Sequence, residues 1–187
     1  MRRILGSILV LVACCSLVPA ADPTPDDAFK LLDKLKAKYR KDKKGDGVQN
    51  VDLARKKITD ADLKTIGALK NVKDINLGGP IQKTVGDKVV YEPKQITDAG
   101  LKYLADWTEL RELSLDGTNI TDEGLKHLAG MKKLTRLILS DTKVTDDGME
   151  HLTKLNALTD VQLFNTKVTV TGVGVLKRWK PAIRVSR

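Results

Sequence analysis

Residues 96–167 read ITDAGLKYLADWTELRELSLDGTN, ITDEGLKHLAGMKKLTRLILSDTK and VTDDGMEHLTKLNALTDVQLFNTK, three segments of 24 residues in unbroken phase (96–119, 120–143 and 144–167). Self-similarity at a fixed period of this length specifies stacked units, a solenoid, rather than a globule with one closed interior. Within 120–143, Thr121 stands where a capping hydroxyl accepts from the backbone N–H three residues on and starts a helix. Leu125 and Leu128 follow at helical spacing, and Met131 begins the return. Leu134, Leu137 and Leu139 form the strand side, with Leu137-Ile138-Leu139 alternating in, out, in. One short helix and one short strand per coil, joined by right-handed crossovers, predicts parallel strands side by side.

The same phases extend in both directions. Leu69, Trp107, Met131, Leu155 and Trp179 form one inward column, so both tryptophans read as core; Leu63, Leu101, Leu125, Met149 and Val173 form another. Glycine recurs at Gly100, Gly124, Gly148 and Gly172, where a missing side chain permits close approach of neighbouring coils; the first repeat has Asp62 there instead. Thr118, Thr142 and Thr166 close the strands, their hydroxyls placed to bond turn backbone. Val48, Val51 and Leu53 open the array, and the repeats occupy 48–187, about five coils and a polar C-terminal cap. The phase breaks once: from Ile58 to Ile96 the spacing exceeds the period by 14 residues. The excess lies in an insertion at 81–95, which Gly86-Asp87 predicts to be a small hairpin.

Ahead of the repeats, Thr24-Pro25-Asp26-Asp27 has the makeup of a helix start, and Phe29, Leu32, Leu35 and Tyr39 follow at helical spacing. Segment 22–47 is therefore read as a linker and an amphipathic helix that ends at Gly45 and caps the first coil. This helix would carry Lys30, Lys34, Lys36, Lys38, Arg40 and Lys41, a solvated outer face or an anchor for an anionic surface. Residues 1–21 are expected to be a signal peptide: Arg2 and Arg3, an apolar run from Ile4 to Val12, and small residues near Ala20. Cleavage there removes both cysteines, Cys14 and Cys15. In the other reading, Leu11-Val12-Ala13-Cys14 is a bacterial lipobox and Cys14 is lipidated. Export to periplasm, cell envelope or medium is common to both.

The pattern LxxLxLxxT followed by ITDxGLxxL resembles the leucine-rich repeat family, nearest its ribonuclease-inhibitor-like, cysteine-containing type and exported bacterial proteins with TDAGL repeats. The resemblance covers about three-quarters of the chain. It departs from that type in its Thr where many members have Asn or Cys, and in its shorter repeat. It implies an α/β right-handed leucine-rich-repeat solenoid with parallel strands on the concave side and short helices on the convex side. It also implies a non-enzymatic scaffold that binds a protein.

The residues themselves offer no competing chemistry. His127 and His151 are one period apart, but two ligands without a third make no metal site. Acidic pairs such as Asp146-Asp147 fall at helix starts, where the helix dipole explains them. Gly78-Gly79-Pro80 lacks the Lys-Ser/Thr of a phosphate loop. No catalytic residues, metal or cofactor are expected, and nucleic acid is not an expected partner despite a net charge of +9, because aromatic residues do not interleave the basic ones. Alternation sends Glu112, Arg136 and Asp160 outward in one concave column, Ile138 in the next, and Asp116 and Phe164 in a third. Apolar Ile138 and Phe164 ringed by these charges form the expected protein-binding patch. The alternative is a structural envelope component held by a lipid at Cys14 or by the basic helix, with no discrete ligand.

Overall fold

The computed structural model describes residues 21–43, 47–69, 71–85, 88–92 and 94–187. Most of the leader with Cys14, the expected helix end at Gly45 and the turn Gly86-Asp87 lie outside them. The elements are α1 (Pro25–Lys34), β1 (Lys38–Lys41), β2 (Val48–Asp52), α2 (Asp60–Ile66), β3 (Asp74–Asn76), β4 (Ile81–Val85), β5 (Lys88–Glu92) and α3 (Asp98–Leu101). Then come β6 (Glu112–Ser114), α4 (Asp122–Leu125), β7 (Arg136–Ile138), α5 (Gly148–Thr153), β8 (Asp160–Gln162), α6 (Val170–Trp179) and β9 (Arg184–Ser186). Seven strands make one sheet in the order β1-β2-β3-β6-β7-β8-β9, parallel from β2 onward. Short helices line the other side, so the fold is α/β. None of the described helices is long and apolar enough to cross a membrane.

The register follows the repeat. Val51, Ile75, Leu113, Leu137, Val161 and Val185 are Cα partners in one inward row. Two residues on, the amides of Leu115, Leu139 and Leu163 donate to Ile138, Gln162 and Ser186 carbonyls, and these three leucines are buried side by side. The turns after β2, β3, β6, β7 and β8 each hold a left-handed residue, Arg55, Gly79, Gly117, Asp141 and Asn165, at equivalent positions.

What joins the helical sides is more specific than a dipole effect. The carboxylate of Asp122 accepts from both the backbone N–H and the hydroxyl of Thr145 in the next coil, at 2.8 and 2.7 Å. Asp60 does the same for Thr97, Asp98 for Thr121 and Asp146 for Thr169. Thr97, Thr121 and Thr169 also cap their own helices, accepting from the N–H two residues on rather than three, and Thr145 accepts from Asp147 N–H in the turn just before α5. The repeated glycine makes room for this clamp: a Cβ on Gly148 would lie 2.3 Å from Asp122 Oδ1, and Gly100, Gly124 and Gly172 are equally close to their neighbours' carboxylates. The first full coil has no preceding clamp, and there Asp62 supplies the acceptor itself, taking the N–H and hydroxyl of Thr59. Thr118, Thr142 and Thr166 bond the Leu115, Leu139 and Leu163 carbonyls, each within its own coil.

Three expectations are corrected. The first helix ends at Lys34, not near Gly45; Lys36 takes a left-handed conformation and 38–41 pairs antiparallel with β2. Ala28 and Leu32 suffice to bury α1. Tyr39 then packs on Phe29 with ring centroids 5.9 Å apart and donates to Asp33 at 2.8 Å, so the strand covers an open sheet edge with lysines on its outside. The basic helix therefore does not exist as one face: Lys30 and Lys34 are helical, while Lys38, Arg40 and Lys41 belong to β1. Trp179 is 72% exposed, whereas Trp107 is buried and donates to Gly67 O at 3.4 Å. In the inner coils the chain has left the helix before this position; α6 persists through Trp179, and Ile183 is buried in the following turn.

The insertion does form a hairpin, β4 pairing antiparallel with β5. Its base is pinned by a residue that alternation did not single out. Lys94 is fully buried in the place that Thr118 and Thr142 hold in later coils, and its ammonium donates to Leu53 O at 2.8 Å. Burial pushes its pKa down to about 8, against the opposing pull of Asp52 and Asp116.

In chemical denaturation, Gly148→Ala should cost about 1–3 kcal/mol by displacing the clamp, while Gly174→Ala, with nothing within 4 Å of its Cβ position, should be neutral or stabilising by up to about 1 kcal/mol. In an Asp122→Ala background most of the Gly148→Ala cost should vanish; full additivity would show that the carboxylate is not what the glycine accommodates. Because the Lys94 pKa is lower folded (about 8) than at its reference value of 10.5, the unfolded chain binds more protons between those values. Stability should therefore gain a contribution as pH rises from about 8 towards 10.5, one that the Lys94→Met variant lacks.

Candidate concave binding surface

Strand alternation turns three residue columns to the concave side. Asn50, Asp74, Glu112, Arg136, Asp160 and Arg184 are successive Cα partners, as are Asp52, Asn76, Ser114, Ile138, Gln162 and Ser186. In the third, the amides of Arg55, Gly79, Gly117 and Asp141 reach the Gly78, Asp116, Ser140 and Phe164 carbonyls, which carries the ladder past the named strands. The first column mostly alternates in charge. Asn50 donates its amide to Asp74, and Arg184 makes a two-pronged bridge to Asp160 at 2.7 and 3.1 Å. The Arg184 and Thr159 hydrogen bonds hold the Asp160 carboxyl below its usual range.

Three hollows open along this face. The main groove, about 640 Å³, runs over β1, β2, β3, β6 and β7; its lining includes Lys38, Arg40, Asp74, Glu112 and Ile138, with Tyr39 at its edge. A second, about 680 Å³, shares Arg40, Asp74 and Glu112 with it and opens onto the rim where helices lead into strands. A third, about 340 Å³, lies toward the opposite rim between Arg55, Asp116, Ile138 and Gln162. Burial, with the nearby Asp141 charge, pushes the Asp116 carboxyl up. Asn50 Oδ1 is buried in the main groove's floor with no partner among the described residues.

Of the residues singled out from sequence, Glu112, Arg136 and Ile138 come together in the main groove, and Asp116 joins Ile138 in the third hollow. Asp160 is engaged by Arg184. Phe164 is 49% exposed but lies one column over and lines none of the three hollows. Lys38, Tyr39 and Arg40 were not expected here, because they read as helix. The signal was Tyr39 alone pointing inward between two cations, the alternation of an edge strand. His127 and His151 stand half-buried on the convex side, one coil apart.

The second hollow is strongly basic. Arg40, Lys73, Arg111, Lys132 and Lys133 line it against Asp74 and Glu112. On that rim Lys133 bonds Glu109 at 2.6 and 2.8 Å. That hydrogen bond, with the charges of Arg111 and Lys73, holds the Glu109 carboxyl below its usual range.

Comparison with known proteins adds the following. The family model described as Leucine Rich repeat matches residues 108–129 and 130–153. No significant match is found among curated proteins. A leucine-rich-repeat protein of Leptospira interrogans is similar in structure, with 16% identity, 70% of this chain and 29% of that one covered, and a TM-score of 0.48. An internalin of Listeria monocytogenes aligns with 14% identity, 74% and 47% coverage, and a TM-score of 0.40. The chain thus spans less than half the length of either. Residues 108–153 carry two leucine-rich repeats, and the coils around them continue the same parallel-strand register.

Proposed function

We propose that this protein is an exported, non-enzymatic leucine-rich-repeat scaffold of the ribonuclease-inhibitor-like type, which holds a protein partner on its concave surface. The observation that carries the reading is the main groove: an open trough made jointly by β1, β2, β3, β6 and β7, with a mixed polar floor and an apolar foothold at Ile138. A surface fixed by so many inter-coil hydrogen bonds is preorganised, so little ordering entropy is lost on docking. The hairpin β4-β5 is a second candidate contact surface. Anchoring by a basic helix loses its support, since the cations meant for it are divided between α1 and an edge strand; a lipid at Cys14 stays compatible with the scaffold reading.

A photo-crosslinking residue placed at Ile138 in the native cell should give a discrete adduct with another protein, and the same residue at convex His127 should not. Equal labelling from both positions, or none from Ile138, would overturn the concave-face reading. Mass spectrometry of the native N-terminus should find processing near Ala20 or a lipidated Cys14; an intact Met1 would contradict export.

A further inference from the structure

We propose that the occupant of the trough is an extended acidic peptide segment of the partner, laid along β3, β6 and β7 with its carboxylates turned to the basic rim. This deepens the concave-face reading and rests on it. The second hollow joins the main groove through Arg40, Asp74 and Glu112, so a chain in the trough reaches Lys73, Arg111 and Lys132 by side chains alone. Arg111 and Lys132 are exposed and make no salt bridge with a described residue. The neighbouring Glu109 reports the local field, since Lys133, Arg111 and Lys73 together favour its ionised form.

The floor decides which kind of anion fits. Asp52, Asp74 and Glu112 lie in the trough itself, where they would repel a uniform polyanion such as a nucleic acid backbone. A peptide carries its charge intermittently. Its acidic side chains can meet the rim while its N–H groups face the floor carboxylates and an apolar side chain rests on Ile138. Adjacent strands are about 4.8 Å apart, so the rim cations climb in short steps along an extended chain. A concave trough also excludes a flat bilayer from the floor.

The test uses the full mature chain and a fluorescein-labelled 12-mer of alternating Glu and Val at about 0.15 M salt. The paired variant Arg111→Glu with Lys132→Glu should weaken binding by about tenfold or more. Reversal at the opposite rim, Lys143→Glu with Lys167→Glu, should change it by less than about twofold, and a 12-mer with Gln for Glu should not bind. Unchanged circular dichroism verifies that each variant folds. Failure of the Glu peptide to bind, indifference to the Arg111/Lys132 pair, or tighter binding of a DNA duplex or phosphatidylglycerol vesicles would overturn the proposal. If the Ile138 crosslink still captures its partner in that variant, the concave reading stands and the acidic segment falls; if Ile138 captures nothing in the wild type, both fall.

Discussion

A 24-residue coil cannot close a core around itself, and every feature of this molecule answers that constraint. One leucine face per coil must be covered by the next coil, so strands align in register and helices stack behind them. Hydrophobic packing alone does not set the separation or the rotation between coils, because it is non-directional. The aspartate that follows the clamped or capping threonine in four successive coils, Asp60, Asp98, Asp122 and Asp146, does. By taking both the amide and the hydroxyl of the following threonine, it fixes neighbours at hydrogen-bond distance, and the glycine two residues beyond that threonine's own aspartate is the room it needs. The signature Thr-Asp-x-Gly is thus one device spread over two coils. Asp62 in the first full coil and Val170 in the last mark where the device has no neighbour on one side.

The binding surface is a by-product of that register. Strict stacking turns equivalent residues into columns, and columns let unlike side chains from distant parts of the chain share one trough. Glu112, Arg136 and Ile138 are contributed by neighbouring coils, while Tyr39 and Arg40 arrive from before the repeats through β1. The two rims carry different charged groups. Cations gather where helices lead into strands, and clamp aspartates gather where strands lead into helices.

Much of this was legible because two periods, 24 and 2, locate most residues unambiguously. The concave columns, the buried leucine rows, the glycine close approach and the hairpin all follow from counting. What was not legible involves residues that break or border the count. Lys-Tyr-Arg-Lys satisfies helix and strand spacing alike, and only the uncovered edge of β2 selects the strand. The clamp aspartates have a sufficient local explanation as dipole partners, which concealed their role between coils. Trp179 keeps the phase of Trp107, yet α6 runs on through it. Phe164 was grouped with Ile138 by apolarity although alternation already placed them in different columns, and it lines none of the three hollows. Lys94 sits one period before Thr118 but follows the insertion, where the phase had to be found again before a buried lysine could be seen.

The central claim is that neighbouring coils, and not the individual coil, are the unit of stability. Native-state hydrogen exchange on the full chain tests it at the amides that cross between coils. Leu115 and Leu139 should exchange only through global unfolding, with Leu163 somewhat less protected because its acceptor belongs to the edge strand β9. If the amides that cross between coils instead exchange faster than the helical amides within each coil, the coils open independently and the account is wrong.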